Sequence, residues 1–318
     1  MSVSSSLQLS SIEAAGGQVG WLTAEDGIRL RYAVFPVADP RGTFLVLPGF
    51  TEFIEKYLEP VGELTQRGFQ VVVLDWRGQG KSDRALSDRH KGHVLHFDHF
   101  QADAVQLLDE VASPLAAGGP LYALGHSMGG HNLLRLLHDR PHQFRCAIAV
   151  APMIDVWSGH FPPWASRYIA RLLAKMAPNH YVPRTGPYDP ETKRFAGNPL
   201  TSDPDRFERT KDLIRGDRDL ALGGPTWTWL KSAFDSMDML SSPAYAAAIH
   251  TPVLLASAGR DRIVRSPAQH RLALHMPACT LVDFPDAQHE ILLERDDIRQ
   301  AFWQAVDAFL AEHEGDGE

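Results

Sequence analysis

The chain has 318 residues, 44% of them hydrophobic, and its formal net charge at pH 7 is -8. This length fits two ordinary domains or one large α/β domain that carries an insertion. The acidic balance argues against nucleic acid as a partner and against electrostatic adsorption to anionic lipid. No apolar run is long enough to cross a bilayer, and residues 1–6 lack the basic and apolar regions of a signal peptide. We therefore expect a cytoplasmic protein.

The first half of the chain alternates strand signals with helix signals. An Asp-Gly pair at residues 26–27 separates two strand-like runs and predicts a hairpin. The elements that follow are a strand at 43–47, a helix through 57–64, a strand at 71–74, a helix through 100–111, a strand at 120–124, a helix that stops before Pro141, and a strand at 146–150. This alternation predicts parallel crossovers, and hence a doubly wound, mostly parallel sheet after an antiparallel start.

The alternation stops at Pro152 and resumes only at Pro252. The stretch between them is rich in proline, arginine and tryptophan, and helices are plausible only around residues 166–176 and 205–214. We predict an α/β core at residues 1–151 and 246–318, and a helical cap at residues 152–245 inserted over the carboxyl edge of the sheet. A helix that begins at Ser266-Pro267, a strand at 279–284 and a helix through 298–309 complete the core.

The chain has two cysteines, Cys146 and Cys279, and both lie in apolar, strand-like runs. Buried free thiols are the simplest interpretation of such positions in a reducing compartment. This use of cysteine agrees with the expected cytoplasmic location.

Gly125-His126-Ser127-Met128-Gly129 is a G-x-S-x-G motif between a predicted strand and a predicted helix. Strand, sharp turn and helix together are the context of a nucleophile elbow. Glycines at both ends allow the strand and the helix to approach each other, and the turn exposes the Ser127 hydroxyl. The Met128 amide then lies at a helix N-terminus, where a developing oxyanion is stabilised. We predict Ser127 as a nucleophile and the Met128 amide as an oxyanion donor.

A serine nucleophile needs a histidine base that is held by a carboxylate. In a doubly wound sheet, such groups lie in loops at the carboxyl ends of strands. Asp261 and His289 follow two successive predicted strands, in the chain order serine, acid, histidine that accompanies such an elbow. The plain alternative is that Asp261 caps a turn and His289 is an ordinary loop histidine. Asp155 is the alternative acid, whereas Asp286 is better explained as a turn residue.

A second oxyanion donor is expected in the loop after the strand at residues 43–47, facing the elbow. Gly49 precedes Phe50 in this loop, and a glycine there permits the Phe50 amide to turn inward. The alternative is a plain strand-to-helix turn. We predict the Phe50 amide as the second donor.

Two other patterns are poor evidence for cofactor chemistry. Gly80-Lys81-Ser82 copies the end of a phosphate-binding loop, but the position five residues before Gly80 is Asp75 instead of the required glycine. Histidines recur at positions 90, 93, 96 and 99, whereas helical metal pairs need i, i+4 spacing and Gly92 interrupts the stretch. We expect no cofactor and no metal ion.

Four segments carry a family resemblance over roughly residues 20–310. They are Pro48–Glu52 with Lys56-Tyr57, Asp75–Ser82, Lys91–Val94, and the elbow itself. In these segments the chain resembles the bacterial lysophospholipase and monoacylglycerol lipase group of α/β-hydrolases. Many members of that group carry histidine before the oxyanion-loop glycine, where this chain has Pro48. The predicted oxyanion donor is a backbone amide, so it does not depend on the side chain at position 48.

The resemblance implies an α/β-hydrolase fold, with Ser127 as nucleophile, Asp261 as acid and His289 as base. It also implies that the amides of Phe50 and Met128 form the oxyanion hole. The expected activity is cofactor-free hydrolysis of a single-chain lipid ester, such as a lysophospholipid or a monoacylglycerol. Transient contact with a membrane surface is compatible with such a substrate.

Other functions remain open at this point. A peptidase or a small-ester hydrolase could use the same three residues, and a non-catalytic binding protein could retain the fold. The predicted cap contains four tryptophans, which either form its small core or line an acyl-chain site. Among them, Trp157, Trp227 and Trp229 are the candidate substrate-binding residues. The sequence carries no feature that fixes the head group, the acyl length or the oligomeric state.

Overall fold

The computed structural model describes residues 11–157 and 162–314. The signal-peptide prediction for residues 1–6 lies outside this described part, as do residues 158–161 of the predicted cap and residues 315–318.

One eight-stranded sheet organises the described part of the chain, with the strand order β1-β2-β4-β3-β5-β6-β7-β8. Its strands are β1 (Gln18–Thr23), β2 (Arg29–Phe35), β3 (Gly42–Leu47), β4 (Phe69–Leu74), β5 (Leu121–His126), β6 (Cys146–Val150), β7 (Val253–Ala258) and β8 (Cys279–Phe284). The β1–β2 hairpin and the β2–β4 pair are antiparallel. All pairs from β4–β3 to β7–β8 are parallel. The predicted fold class is confirmed.

Helices cover both faces of this sheet. In the described residues they are α1 (Leu58–Gln66), α2 (Asp98–Leu107), α3 (Ser113–Ala116), α4 (Met128–Asp139), α5 (Pro163–Met176), α6 (Pro204–Gly216), α7 (Trp227–Leu240), α8 (Pro243–Ala247), α9 (Ser266–Ala273) and α10 (Asp296–Glu314). A π-helical turn at Leu108–Ala112 joins α2 to α3, so the helix predicted through residues 100–111 consists of α2 and most of this π-helical turn.

The central strands bury side chains on both faces, which explains why they appear in the sequence as continuous apolar runs. Phe44 and Val46 of β3 pack into the layer that contains α1 and α10. Leu45 and Leu47 of the same strand pack into the opposite layer, with α2, α4, α7 and α9. Successive residues of a strand point to opposite faces, so one short strand contributes to both halves of the core.

Residues 152–245 contain α5 to α7 and the start of α8, and, where the structure describes them, no strand of the sheet. Helices α5 and α6 include the two helices predicted around residues 166–176 and 205–214. Helix α7 was not predicted. The Thr226 side chain caps its N-terminus by accepting a hydrogen bond from the Trp229 amide, and its buried residues join the core layer of α2 and α4. The segment is therefore packed into the core through α7.

Both cysteines are free thiols. Cys146 is buried as predicted, whereas Cys279 is only half-buried because β8 is the last strand at its edge of the sheet. Burial raises the pKa of the Cys146 thiol to about 12 and that of the Cys279 thiol to about 11. Among the described helices, none combines the length and the apolar composition that crossing a membrane requires.

Candidate active site

The turn between β5 and α4 places Ser127 in a strained conformation. Its φ of 53° and ψ of -115° lie outside the regions that a serine ordinarily adopts. A Cβ atom on Gly129 would lie 1.9 Å from the Leu47 carbonyl oxygen, and one on Gly125 would lie 2.6 Å from the Gly129 carbonyl oxygen. The two glycines of the motif are therefore required by the close packing of β5, α4 and β3.

Backbone hydrogen bonds fix this strained residue on two sides. The Ser127 amide donates to the Val150 carbonyl at 2.9 Å, and the Ser127 carbonyl accepts from the amides of His131 and Met153, also at 2.9 Å. The elbow is thereby tied to the end of the neighbouring strand β6. Such support is what allows a strained turn to persist.

Ser127, His289 and Asp261 form one chain of hydrogen bonds. His289 Nε2 lies 2.9 Å from Ser127 Oγ, and His289 Nδ1 lies 2.6 Å from Asp261 Oδ2. All three residues are buried. The structure thus brings together the three residues singled out in the sequence, in the geometry of a serine with an adjacent base and an orienting carboxylate.

The carboxylate of Asp261 serves two partners. Its Oδ1 accepts hydrogen bonds from the amides of Ile263 and Val264 at 2.7 and 2.9 Å, and its Oδ2 is left to face His289. Asp261 therefore caps a turn and also holds the histidine. The alternative acid, Asp155, lies 3.4 Å from the guanidinium groups of Arg167 and Arg265.

Two backbone amides beside the serine have no partner in the described part of the chain. The Phe50 amide makes no hydrogen bond there, whereas the flanking amide of Gly49 donates to Glu52 and that of Thr51 donates to Gln79 Oε1 at 3.2 Å. The Met128 amide at the start of α4 is likewise without a partner. Unpaired amides at these two positions are what an oxyanion hole requires.

Side chains from a second loop hold the segment that contains Phe50. Gln79 Nε2 donates to the Gly49 carbonyl at 2.8 Å, and the Trp76 indole donates to the Pro48 carbonyl at 2.7 Å. Sequence reasoning missed both residues as site components. The only signal was their place in the segment Asp75–Ser82, which contributed to the family resemblance.

A group of buried polar side chains lies behind the serine and histidine. We call Glu52, Lys56, Tyr57, His126 and Glu290 the buried cluster. Lys56 Nζ lies 2.8 Å from Glu52 Oε1 and 2.7 Å from Glu290 Oε1, and the Tyr57 hydroxyl donates to Glu52 Oε2 at 2.5 Å. Burial alone would lower the pKa of Lys56, but the carboxylates of Glu290 and Glu52 outweigh it and raise that pKa. Sequence reasoning did not identify the buried cluster.

The candidate tryptophans lie in different environments. Trp157 is 55% exposed, and the Arg265 guanidinium lies 5.3 Å from the centre of its ring. Trp227 and Trp229 are buried. The Trp229 ring centre lies 4.4 Å from that of Phe50, so this tryptophan packs directly against the loop with the unpaired amide. A substrate-binding role for the three tryptophans stays a prediction.

The described residues contain no group of three or more His, Cys, Asp or Glu side chains arranged to hold a metal ion. Two of the histidines that recur between positions 90 and 99 have separate hydrogen-bond partners. His90 Nδ1 accepts from the Tyr188 amide at 3.2 Å, and His93 Nδ1 lies 3.0 Å from Thr226 Oγ1.

Several known proteins are similar to this chain in sequence. Residues 38–296 match the family described as "Serine aminopeptidase, S33". Lysophospholipase L2 of Escherichia coli K12 is 30% identical over 306 residues, which cover 92% of this chain and 86% of the relative. Monoacylglycerol lipase of Mycolicibacterium smegmatis is 24% identical over 275 residues, which cover 84% of this chain and 88% of the relative.

Solved structures share the fold. A soluble variant of monoglyceride lipase from Saccharomyces cerevisiae, in complex with a substrate analogue, matches with a TM-score of 0.75 and 22% identity, over 93% of this chain and 95% of that one. Monoacylglycerol lipase of Paleococcus ferrophilus matches with a TM-score of 0.69 and 23% identity, over 89% of this chain and 99% of that one.

Proposed function

This chain belongs to the serine aminopeptidase S33 family and is a serine hydrolase with the α/β-hydrolase fold, and on that premise we propose that it hydrolyses the carboxylic ester of a single-chain lipid. A lysophospholipid or a monoacylglycerol is the proposed substrate. The observation that carries the chemistry is the hydrogen-bonded chain Ser127–His289–Asp261 beside two unpaired amides. The lipid substrate is supported by the relatives named lysophospholipase L2 and monoacylglycerol lipase.

In the proposed mechanism, Ser127 Oγ attacks the ester carbonyl while His289 Nε2 takes its proton. Asp261 holds the imidazole in the required tautomer and stabilises the imidazolium that forms. The amides of Phe50 and Met128 donate hydrogen bonds to the oxyanion of the tetrahedral intermediate. The imidazolium then protonates the leaving alcohol, and water activated by the same histidine releases the fatty acid from the acyl-enzyme.

Residues 152–245 are proposed as a cap over this site. The Pro199 and Leu200 carbonyls accept from the amides of His289 and Glu290 at 3.4 and 2.8 Å. Arg262, next to Asp261, donates to the Asn198 carbonyl at 2.7 Å. The inserted segment therefore lies directly on the loops that carry the proposed base and acid, where it would enclose an acyl chain.

Helix α5 is proposed as the surface that contacts lipid aggregates. Trp164, Tyr168, Leu172 and Met176 recur every four residues on one face, and their exposed fractions run from 45% for Leu172 to 73% for Trp164. The neighbouring Arg167 and Arg171 pair with Asp238 and Asp235 of α7 at 2.6 and 2.9 Å. Because these charges are neutralised and the chain is acidic, the stripe suits a zwitterionic surface better than an anionic one.

A cytoplasmic location is proposed from the two free thiols, since oxidising compartments favour disulfides.

The test of substrate class is a panel of monoacylglycerols and lysophosphatidylcholines of rising chain length, assayed below their micelle-forming concentrations. Each buried methylene contributes about 0.8 kcal/mol, so kcat/KM is expected to rise several-fold per two carbons until the groove is filled. Aminoacyl amides and acetate esters are run in parallel, with Ser127→Ala as the inactive control. A preference for the amides would indicate the peptidase that the family description names, and a preference for acetate would indicate a small-ester hydrolase. Hydrolysis that persists in Ser127→Ala would contradict the mechanism.

A further inference from the structure

The buried cluster joins three segments of the proposed site, yet the reaction as derived uses none of its side chains. Glu52 belongs to the loop that contains Phe50, His126 precedes Ser127, and Glu290 follows His289. Each member of the cluster is less than one-tenth exposed. Charged groups are this deeply buried only when they are paired, and their pairing fixes the segments that carry them.

The ring of His126 faces an acceptor at each nitrogen. Its Nδ1 lies 3.0 Å from Glu52 Oε2, and its Nε2 lies 3.2 Å from the His289 carbonyl oxygen. A neutral imidazole carries one N–H, so one of these contacts would bring a lone pair against an oxygen. Only the imidazolium, which donates from both nitrogens, satisfies the two contacts.

The charges of the cluster balance only in that state. Glu52 and Glu290 contribute two carboxylates, whereas Lys56 contributes one positive charge. A protonated His126 supplies the second positive charge. Burial alone would lower the pKa of His126, but the facing Glu52 carboxylate outweighs burial and raises it.

The charge on Glu52 follows from the same contacts. Its Oε1 accepts from Lys56, and its Oε2 accepts from Gly49 and Tyr57 and faces His126, so every polar group around the two oxygens is a donor. Burial alone would raise the pKa of Glu52, but Lys56 and His126 hold it well below its ordinary value.

We propose that His126 is a buried imidazolium that positions the loop of His289 against Ser127 and, through Glu52, the loop of Phe50. The charge state of His126 is independent of the proposed function, whereas the positioning role rests on that function. The titratable and charged groups around His126 are Glu52, Lys56, Tyr57 and Glu290 of the cluster and the ring of His289, whose centre lies 4.9 Å from that of His126. Loss of its proton at alkaline pH removes one donor and leaves the cluster with a net negative charge. The rate constant kcat therefore falls as pH rises through the pKa of His126.

A second buried histidine provides an internal comparison. His131 lies in the first turns of α4, five residues after His126 at the end of β5, with Nδ1 at 2.9 Å from the Met153 carbonyl and Nε2 at 2.6 Å from the Ser236 hydroxyl. A hydroxyl can donate to Nε2, so a neutral ring satisfies both contacts. Burial and the charge of Arg135 lower the pKa of His131 to about 3. Of these two buried histidines, the contacts therefore require a charged ring at His126 and a neutral ring at His131.

The charge state is tested by ring nitrogen NMR of protein labelled with ¹⁵N-histidine, recorded at pH 8. An unperturbed histidine is almost wholly neutral there. We expect a charged ring that is absent from His126→Gln and becomes neutral in Glu52→Gln, while the ring assigned to His131 is neutral. A spectrum of the wild type without any charged ring would overturn the proposal even if neither variant folds.

The positioning role is tested by the pH dependence of kcat for Glu52→Gln. Small displacements at a reacting centre cost up to about 100-fold, so we expect kcat to fall about 10- to 100-fold while KM changes little. The alkaline limb of the profile moves to lower pH. The matched control is Glu59→Gln, because Glu59 is a partly buried glutamate of α1 whose ion-pair partners, Arg206 and Arg299, lie outside the cluster. Equal losses in the two variants, or an unchanged alkaline limb, would overturn the role. A wild type inactive on every ester would reject the proposed function and leave the NMR result standing.

Discussion

Ser127 and Asp261, two of the three residues that are linked by hydrogen bonds, are held in place by backbone groups around them. Ser127 is held by backbone bonds to Val150 and Met153, and Asp261 is held by the amides that it caps. The Ser127 contacts are made by its backbone and the Asp261 contacts by one carboxylate oxygen, so a conservative change in one side chain is expected to leave the other two in place. Single substitutions at the site should therefore report on chemistry and not on folding.

Asp261→Asn is expected to lower kcat about 10⁴-fold, because an amide disturbs the tautomer of His289 and removes the counter-charge of the imidazolium. Asp155→Asn should have little effect, since the Asp155 carboxylate faces Arg167 and Arg265. The measurement is kcat of both variants on one soluble ester. Reversed effects would assign the acid to Asp155.

Ser127, Asp261 and His289 could be predicted as neighbours because loops at the carboxyl ends of parallel strands meet at one edge of the sheet. The supporting residues could not. Gln79 and Trp76 reach across to the loop of Phe50, and His126 reaches Glu52, which is 74 residues away in the chain. Which side chains cross between loops depends on how the loops pack, and no local periodicity records that packing.

Among the elements, α7 is the helix that the sequence did not predict. It begins with Trp227-Thr228-Trp229, which are residue types of modest helix propensity. Its buried residues follow a helical spacing only from Trp229 onward. Tertiary packing decides the conformation here, because the helix is anchored by Trp229 against Phe50 and Phe97.

Trp229→Ala is expected to lower kcat/KM by a similar factor for short and long esters, because the lost ring supports the loop of Phe50. A truncation of this size in a core costs about 3–5 kcal/mol of unfolding free energy. The measurement is kcat/KM across p-nitrophenyl esters of rising chain length, with Tm recorded alongside. A loss confined to long chains would instead support the prediction that this tryptophan lines the acyl-chain site.

A network of arginines and glutamates joins α1, α6 and α10. Glu59 of α1 accepts from Arg206 of α6 and from Arg299 of α10, at 2.7 and 2.6 Å. Burial alone would raise the pKa of Glu59, but Arg206, Arg299 and Arg209 outweigh it and lower the pKa from 4.5 to about 2. A carboxyl with a depressed pKa stabilises the fold above its unfolded pKa, and this contribution is lost as pH falls.

Glu59→Gln is therefore expected to reduce the free energy of unfolding by about 2 kcal/mol at pH 7. The difference from wild type should shrink as pH falls from 4.5 towards 2, where the native carboxylate takes up its proton. Urea unfolding at several pH values measures this difference. A difference that stays constant across that range would show that Glu59 does not act through its charge.

At the scale of the whole molecule, the sheet could be predicted from the alternation of strand and helix signals. The sequence also predicts that residues 152–245 lie over the carboxyl edge of the sheet, but it does not predict the long-range backbone contacts of Pro199 and Leu200 with His289 and Glu290. The same segment leaves the apolar stripe of α5 on the surface. Helix α5 therefore belongs to the proposed cap and also carries the surface that is proposed to contact lipid.

The double variant Trp164→Ser, Tyr168→Ser is expected to bind phosphatidylcholine vesicles several-fold more weakly than wild type, because each aromatic ring buries apolar area at the lipid interface. Vesicle sedimentation measures the bound fraction. Leu274→Ser is the matched control, since Leu274 is an apolar residue that is 83% exposed beyond the end of α9. Equal weakening by the control would contradict a docking role for α5.

The central claim is that Ser127 is the nucleophile of an ester hydrolase, and active-site labelling tests it most directly. Native protein is treated with a fluorophosphonate, digested, and mapped by mass spectrometry. We expect one phosphonyl adduct, on the peptide that contains Ser127, and none in Ser127→Ala. A folded wild type without an adduct, or an adduct that persists in Ser127→Ala, would contradict the account.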